Sequence, residues 1–257
     1  MTGNLHTHTS FCDGADEARV LVEKALEKGF AYLGFSGHSH VPGEEEWCMT
    51  PEATERYRAE IAALQREYAG RIRIFCGLEQ DMDSPEAAVG YDYVIGSVHS
   101  LSPAGARVSV DWTPEHLAQG VEQYWHGDWY AMCEDYYRQL MRVPEVTGAD
   151  ILGHFDLVTK FNEGGRFFDE RHPRYVAAAL EAADRLLESG ILFEVNTGGM
   201  ARRWRTEAYP APFLRDYLRA RGGRFVLSSD CHNAADLDFA FDRYADWQDA
   251  LPLGLQL

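Results

Sequence analysis

What most constrains this chain is a register. Seven short apolar segments, at 4–8, 31–36, 72–78, 91–98, 151–155, 191–196 and 224–229, recur along the 257 residues. All but the sixth end in, or are followed within two residues by, a histidine or an acidic residue. Helical patterns separate most of them. One, at about 15–28, places Val20, Leu21, Ala25 and Leu26 on one side and closes at Gly29 as a C-cap. Another opens with Thr50-Pro51, an N-cap followed by proline at the first helical position, and runs to about Tyr68. Two more are expected at 173–188 and 212–221. Short apolar strands alternating with helices predict a parallel sheet buried on both faces. In such folds the strand C-termini share one rim. A closed barrel lets residues at those ends converge on a point, whereas an open sheet spreads them along a line, so a β/α barrel is expected.

The residues in that register are His6 and His8, His38, Glu79, His99, His154, and Asp230 with His232; Asp13 stands just beyond the first segment in a turn with Gly14. Imidazole and carboxylate suit Zn, Fe and Mn. In His6-Thr7-His8, strand alternation projects both rings to the same side, and Asp230-Cys231-His232 repeats the device. An isolated HxH or DxH is a weak signal, and a single His38, His154 or Glu79 has ordinary roles in a core or an ion pair. The register is what those ordinary roles leave unexplained. Nine potential ligands exceed what one ion can take, so two or three metal ions are implied.

Composition narrows the partners. A formal net charge of −17 argues against a nucleic-acid surface, which needs stripes of Lys and Arg. It allows a small anionic substrate, because bound cations reverse the local field. No stretch approaches the roughly 18 apolar residues of a membrane span, and no basic leader precedes an apolar run. The five cysteines lack CxxC spacing and read as free thiols of a cytoplasmic protein. No linker or repeat divides the chain, so residues 1–257 are expected to form one domain. The stretch at about 100–144, rich in Trp, Tyr and His, is expected to be a helical insertion, with a helix opening at Thr113-Pro114 and a second near Asp128. Its aromatic run (Tyr124-Trp125, Trp129-Tyr130, Tyr136-Tyr137) has helical spacing and reads as core or lid packing.

Taken together, Leu5-His6-Thr7-His8-Thr9 with Asp13-Gly14, Gly37-His38, Gly77-Leu78-Glu79, Gly96-Ser97-Val98-His99, Gly153-His154 and Ser229-Asp230-Cys231-His232 resemble the successive motifs of the PHP (polymerase and histidinol phosphatase) family. Within it the chain is most similar to histidinol-phosphate phosphatases. The resemblance implies a distorted seven-stranded (β/α)7 barrel with a trinuclear site. His6, His8, Glu79 and Asp230 would hold one metal; Glu79 as a bridge, with His99 and His154, a second; Asp13, His38 and His232 a third. Many relatives carry histidine where Asp13 stands. The segment 194–202, with Arg205 and Tyr209-Pro210, is similar to the substrate-binding segment of these phosphatases. It implies that Arg202 holds the phosphate, a group that a guanidinium fork suits; Arg205 and Lys160 are further candidates, and His40 stands close enough to the site to touch substrate. A solvated basic cluster is the alternative for Arg202, Arg203 and Arg205.

The implied chemistry is hydrolysis of a phosphate monoester, a small-molecule partner. Hydroxide formed on metals bridged by Glu79 attacks phosphorus, and Asp230, His232 and Arg202 complete the catalytic set. L-histidinol phosphate, and with it L-histidine biosynthesis, is the implied substrate and role. The alternatives are another small phosphate ester or nucleotide, or a catalytically silent binding module. For the substrate's ammonium and imidazole, Glu44-Glu45-Glu46 and the region around Trp125 are the expected handles. Asp81-Met82-Asp83 mimics an aspartyl-phosphate motif but reads as coincidence.

Overall fold

The computed structural model describes residues 3–252 and Leu255. Seven strands, β1 (Gly3–Asn4), β2 (Tyr32–Phe35), β3 (Arg73–Asp81), β4 (Tyr93–Ser97), β5 (Ile151–Leu152), β6 (Leu192–Asn196) and β7 (Phe225–Ser228), form one sheet in chain order, every neighbouring pair parallel. The edge strands meet at a parallel bridge between Thr7 and Cys231, where the His8 N–H donates to Cys231 O at 2.9 Å. The sheet is thereby nearly closed into a barrel. Asn4 ties the seam: its Nδ2 donates to Ser229 Oγ (2.6 Å) and Leu237 O (3.0 Å), and its Oδ1 accepts the Ser229 N–H (3.4 Å).

Residues of all seven strand segments fill the barrel: Leu5, Tyr32, Phe75, Tyr93, Ile95, Ile151, Leu192 and Val226. Tyr93 is fully buried there, and its hydroxyl donates to Leu5 O and Phe35 O. Its ring needs Gly34 and Gly77. A Cβ at Gly34 would lie 2.3 Å from Tyr93 Oη, and one at Gly77 2.2 Å from Tyr93 Cζ. The outer helices pack around this cylinder. Helix α1 (Ala18–Glu27) buries Ala18, Leu21, Val22 and Ala25, so its inner face is rotated from the expected one and Val20 is 42% exposed. Thr50 caps α2 (Pro51–Glu67), accepting from the Ala53 N–H at 3.1 Å. Helices α6 (Pro173–Ser189) and α7 (Pro212–Ala220) cover the later strands.

Three strands depart from the sequence expectation at their C-terminal ends, where the rim begins. Strand β1 stops at Asn4 rather than residue 8, because side chains take over the pairing: Thr7 Oγ1 donates to Gly34 O (2.8 Å), and Ser36 Oγ accepts the Thr7 N–H (3.1 Å). Strand β5 stops at Leu152, and the His154 amide is taken by the Glu194 carboxylate at 2.8 Å. Strand β3 runs on to Asp81, which puts Glu79 inside the strand and not after it.

The stretch from 100 onward carries an antiparallel ribbon, Ser100–Leu101 against Val108–Ser109, which the sequence did not suggest. Helices α3 (Pro114–Trp125), α4 (Trp129–Leu140) and α5 (Val143–Thr147) follow, with Thr113 and Asp128 as N-caps of the first two. Tyr136 and Tyr137 are buried, and the Tyr137 hydroxyl donates to that of Tyr175 on α6 at 2.8 Å. Among the described residues no helix is long and apolar enough to cross a membrane.

Candidate metal centre

The rim brings the expected ligands together around one buried carboxylate. The two oxygens of Glu79 face different partners. Oε2 lies 3.1 Å from His6 Nε2, 3.4 Å from His8 Nε2 and 2.9 Å from His38 Nδ1. Oε1 lies 3.0 Å from His154 Nε2 and 3.4 Å from His99 Nε2, and accepts from Ser97 Oγ at 2.6 Å. Asp230 Oδ1 stands 3.2 Å from His8 Nε2 and 3.5 Å from His6 Nε2. Asp13 faces His232 Nε2 at 3.0 Å, His8 Nδ1 at 3.6 Å and His38 Nε2 at 3.7 Å. Among the described residues, three overlapping groups have donor atoms close enough to share an ion: His8, Asp13, His38 and His232; His6, His8 and Glu79; His38, Glu79 and His99. His8 and His38 thus stand between subsites, each with one ring nitrogen toward Glu79 and the other toward Asp13.

These donors fit metal ions. His6 Nε2, His8 Nε2, His38 Nδ1 and Glu79 Oε2 are buried without a hydrogen-bond partner, and all four point at one another. Buried polar atoms are ordinarily paired, and lone pairs that converge in this way call for a cation. Burial lowers His6, His38 and His99, but Glu79 and the carboxylates beside it outweigh burial and raise all three, so a cation bound here replaces protons. Burial, helped by the charges of His232 and His38, pushes His8 down to about 3, which leaves its ring neutral and ready to coordinate. Burial alone would raise Glu79, but His6, His38 and His99 outweigh it and hold the carboxyl well below its ordinary range. For Asp230, Arg202 and His6 do the same.

Two carboxylates outside the expected set orient the rings. Glu194, fully buried in β6, has Oε1 2.6 Å from His6 Nδ1, while Oε2 takes the His154 amide and Asn196 Nδ2 (2.9 Å). Asn196 Nδ2 also lies 3.3 Å from Asp230 Oδ2. Asp81 Oδ2 lies 2.8 Å from His99 Nδ1. Each arrangement leaves Nε2 of the histidine facing Glu79, the usual way in which an outer carboxylate fixes a metal-binding tautomer. The aspartate that sequence reading set aside as coincidence therefore has a defined contact. Glu194 lay inside the segment singled out for substrate binding, but its strand carries no rim ligand to flag it.

The substrate residues divide. Arg202 and Lys160 line the same cavity of about 170 Å³ as Asp13, His38, Glu79, His99, His154, Asp230 and His232. Arg202 Nη2 donates to Asp230 Oδ2 at 2.7 Å, and Nη1 lies 2.8 Å from His232 Nδ1. His40 and Arg205 are not among the lining residues. His40 Nε2 is 3.2 Å from Glu45 in the acidic loop, and Arg205 donates to Thr159 O and Glu170, both at 3.0 Å. The Glu44–Glu46 handle also turns elsewhere, since Glu44 binds Trp47 Nε1 (2.9 Å) and Arg107 (3.2 Å). Trp125 donates to Asp135 at 2.7 Å and borders a separate cavity of about 400 Å³.

A barrel of this topology with a histidine–carboxylate cluster at its strand ends defines a metal-centre protein of the PHP class, and the PHP domain matches residues 4–198: the chain belongs to this family. A Deinococcus radiodurans protein named "Probable histidinol-phosphatase" is 35% identical over 94% of this chain and 91% of its own length. The histidinol-phosphatase of Bacillus subtilis is 27% identical over 94% and 97%. The fold is shared with a Listeria monocytogenes protein proposed to be a histidinol phosphatase (TM-score 0.82, 20% identity, 95% of this chain and 100% of that one). It is also shared with the Lactococcus lactis histidinol phosphate phosphatase, solved with Zn, L-histidinol and phosphate (TM-score 0.69, 21% identity, 96% and 94%).

Proposed function

We propose that this chain is a metal-dependent phosphomonoesterase that hydrolyses L-histidinol phosphate in L-histidine biosynthesis. The observation that carries the reading is Glu79, one carboxylate facing two sets of histidines in a cavity that also holds Lys160 and Arg202. The assignment to histidinol phosphate is supported by the relatives that match the chain nearly end to end.

His6, His8, Glu79, Asp230, His99, His154, Asp13, His38 and His232 would hold two to three Zn, Fe or Mn ions. When bound, such ions supply Lewis acidity toward phosphoryl oxygens and a water acidic enough to serve as nucleophile near neutral pH. The chain's own residues do the rest. Ser97 Oγ and the flanking histidines keep the Glu79 carboxylate from rotating. Arg202 is held at the cavity by Asp230 and offers its guanidinium to the phosphate, and Lys160 adds a second positive charge. Both cations are in place before substrate arrives, so little reorganisation is needed as charge develops on the phosphoryl group.

The test is a panel of histidinol phosphate, glycerol phosphate, nucleoside monophosphates and p-nitrophenyl phosphate at matched metal loading. Histidinol phosphate should show the highest kcat/KM despite a poorer leaving group than p-nitrophenol, because remote contacts act in the transition state. Arg202→Ala should weaken the whole panel. Equal turnover of glycerol phosphate and histidinol phosphate would refute the biosynthetic role and leave a general phosphatase.

A further inference from the structure

Histidinol phosphate carries an ammonium two carbons from its phosphate ester, and in the expected acidic loop Glu44 is engaged by Trp47 and Arg107 and Glu45 by His40. One carboxylate in the cavity wall is neither a ligand in the sets above nor an orienting partner of a ligand: Asp111. It follows the second strand of the ribbon, in the stretch where Val110 N donates to His99 O at 2.9 Å. Ser109 Oγ fixes it on two sides, donating to Asp111 Oδ1 (3.1 Å) and accepting the Asp111 N–H (3.3 Å). Lys160 Nζ donates to the backbone oxygen of Asp111 at 2.7 Å and stands 3.5 Å from Oδ2. The strong bond of the lysine is thus to the main chain, and the carboxylate keeps acceptor capacity. Its side chain is 27% exposed toward the cavity that holds Glu79, His99 and His154.

We propose that Asp111 is the specificity residue that receives the substrate's ammonium, with Lys160 beside it facing the phosphate. This rests on the phosphatase reading above. The substrate is a zwitterion with the two charges a few ångströms apart, and the Asp111–Lys160 pair presents the opposite charges at a similar spacing. The inner cluster and Arg202 answer only the phosphate, so an aminoalkyl phosphate gains a contact that glycerol phosphate lacks. A carboxylate already held by Ser109 loses little freedom when it binds an ammonium. A charge-assisted bond of this kind accounts for about a 10- to 100-fold preference.

The experiment compares histidinol phosphate with the same imidazole-bearing alcohol phosphate lacking the amino group, on wild type and Asp111→Asn, with metal content measured in both. Asparagine keeps the size of the side chain and an oxygen for Ser109. The expected result is a wild-type preference for the amine that falls about 10- to 100-fold in the variant, with a much smaller change on the deaminated ester. If Asp111 merely props Lys160, both esters lose kcat/KM equally while the wild type still discriminates, and the proposal is overturned with the phosphatase reading intact. If the wild type itself treats the two esters alike, the ammonium role of Asp111 is overturned, while the ranking against glycerol phosphate decides the histidinol-phosphate reading separately. Should Asp111→Asn fold poorly, Asp111→Glu serves instead, with reduced but amine-selective activity expected.

Discussion

At Glu79 the two carboxylate oxygens face different histidines, so one substitution disconnects two groups of ligands. Glu79→Gln removes the shared negative charge while keeping the side-chain volume. Turnover should fall by at least about a thousandfold, and elemental analysis should find less metal than the two to three equivalents expected of the wild type. Near-normal kcat in that variant would contradict the shared-ligand assignment. Glu194 acts one step further out. Glu194→Gln weakens the hold on His6 Nδ1 and the His154 amide, and metal affinity should drop about 10- to 100-fold. Because no cavity-lining atom is lost, kcat should recover when excess Zn is added back to the apo-protein; a deficit that persists at saturating metal would show that Glu194 does more than position. The difference between these residues also explains what was legible beforehand. The nine rim residues betrayed themselves because they cluster at or just beyond the ends of six apolar segments, a pattern that a linear string records. Glu194, Asp81 and Asp111 are single acidic residues whose partners lie 188, 18 and 49 positions away, and no spacing rule links such pairs.

Between elements, the joints carry the stress. Strands β3 and β4 are held at register by Gly77 against Tyr93, and Gly77→Ala forces a methyl into the Tyr93 ring. The overpacking should cost about 3 kcal/mol, measurable as a lower urea midpoint. An unchanged midpoint would mean that the barrel interior repacks freely. The turn after β5 is joined to the start of α7 by Asp156, whose Oδ2 accepts the Ala211 N–H at 2.9 Å while Oδ1 is buried without a partner. Burial pushes this carboxyl up to about 6. A raised carboxyl binds its proton more tightly in the folded state, so its contribution to stability is full below the ordinary carboxylate range and is lost as pH rises through 6. Asp156→Asn should therefore gain stability over wild type at pH 8 relative to pH 4.5, by about 2 kcal/mol. Denaturant titrations of both proteins at the two pH values test this; a constant difference would remove Asp156 as the source. Elements also show where sequence reading stops. Long amphipathic helices announced themselves through caps such as Thr50 and Thr113. The ribbon did not, since strands of two residues, Ser100–Leu101 and Val108–Ser109, are too short to show alternation.

Across the whole molecule, a chain of net charge −17 concentrates carboxylates and histidines at one rim, so cations bound there should stabilise the fold as well as serve the chemistry. Removing metal with a chelator should lower Tm by on the order of 10 °C, and readdition should restore it. A melting curve indifferent to chelation would oppose the cluster. Asn4→Ala should reproduce part of that loss without removing a ligand side chain, because it cuts the side-chain bonds across the seam and the one that accepts the His6 N–H; a penalty of about 2 kcal/mol corresponds to roughly 5 °C. The seam has a further consequence for the order in which the protein is made. His6 and His8 are made long before Asp230 and His232, which come after β7 at Phe225–Ser228. A nascent chain that has not reached Phe225 already holds seven of the nine donors. It still lacks the strand against which His8 pairs. A chain cut short before Phe225 would be left as an open sheet with the edges of β1 and β6 bare, and without the two donors that β7 brings to the seam.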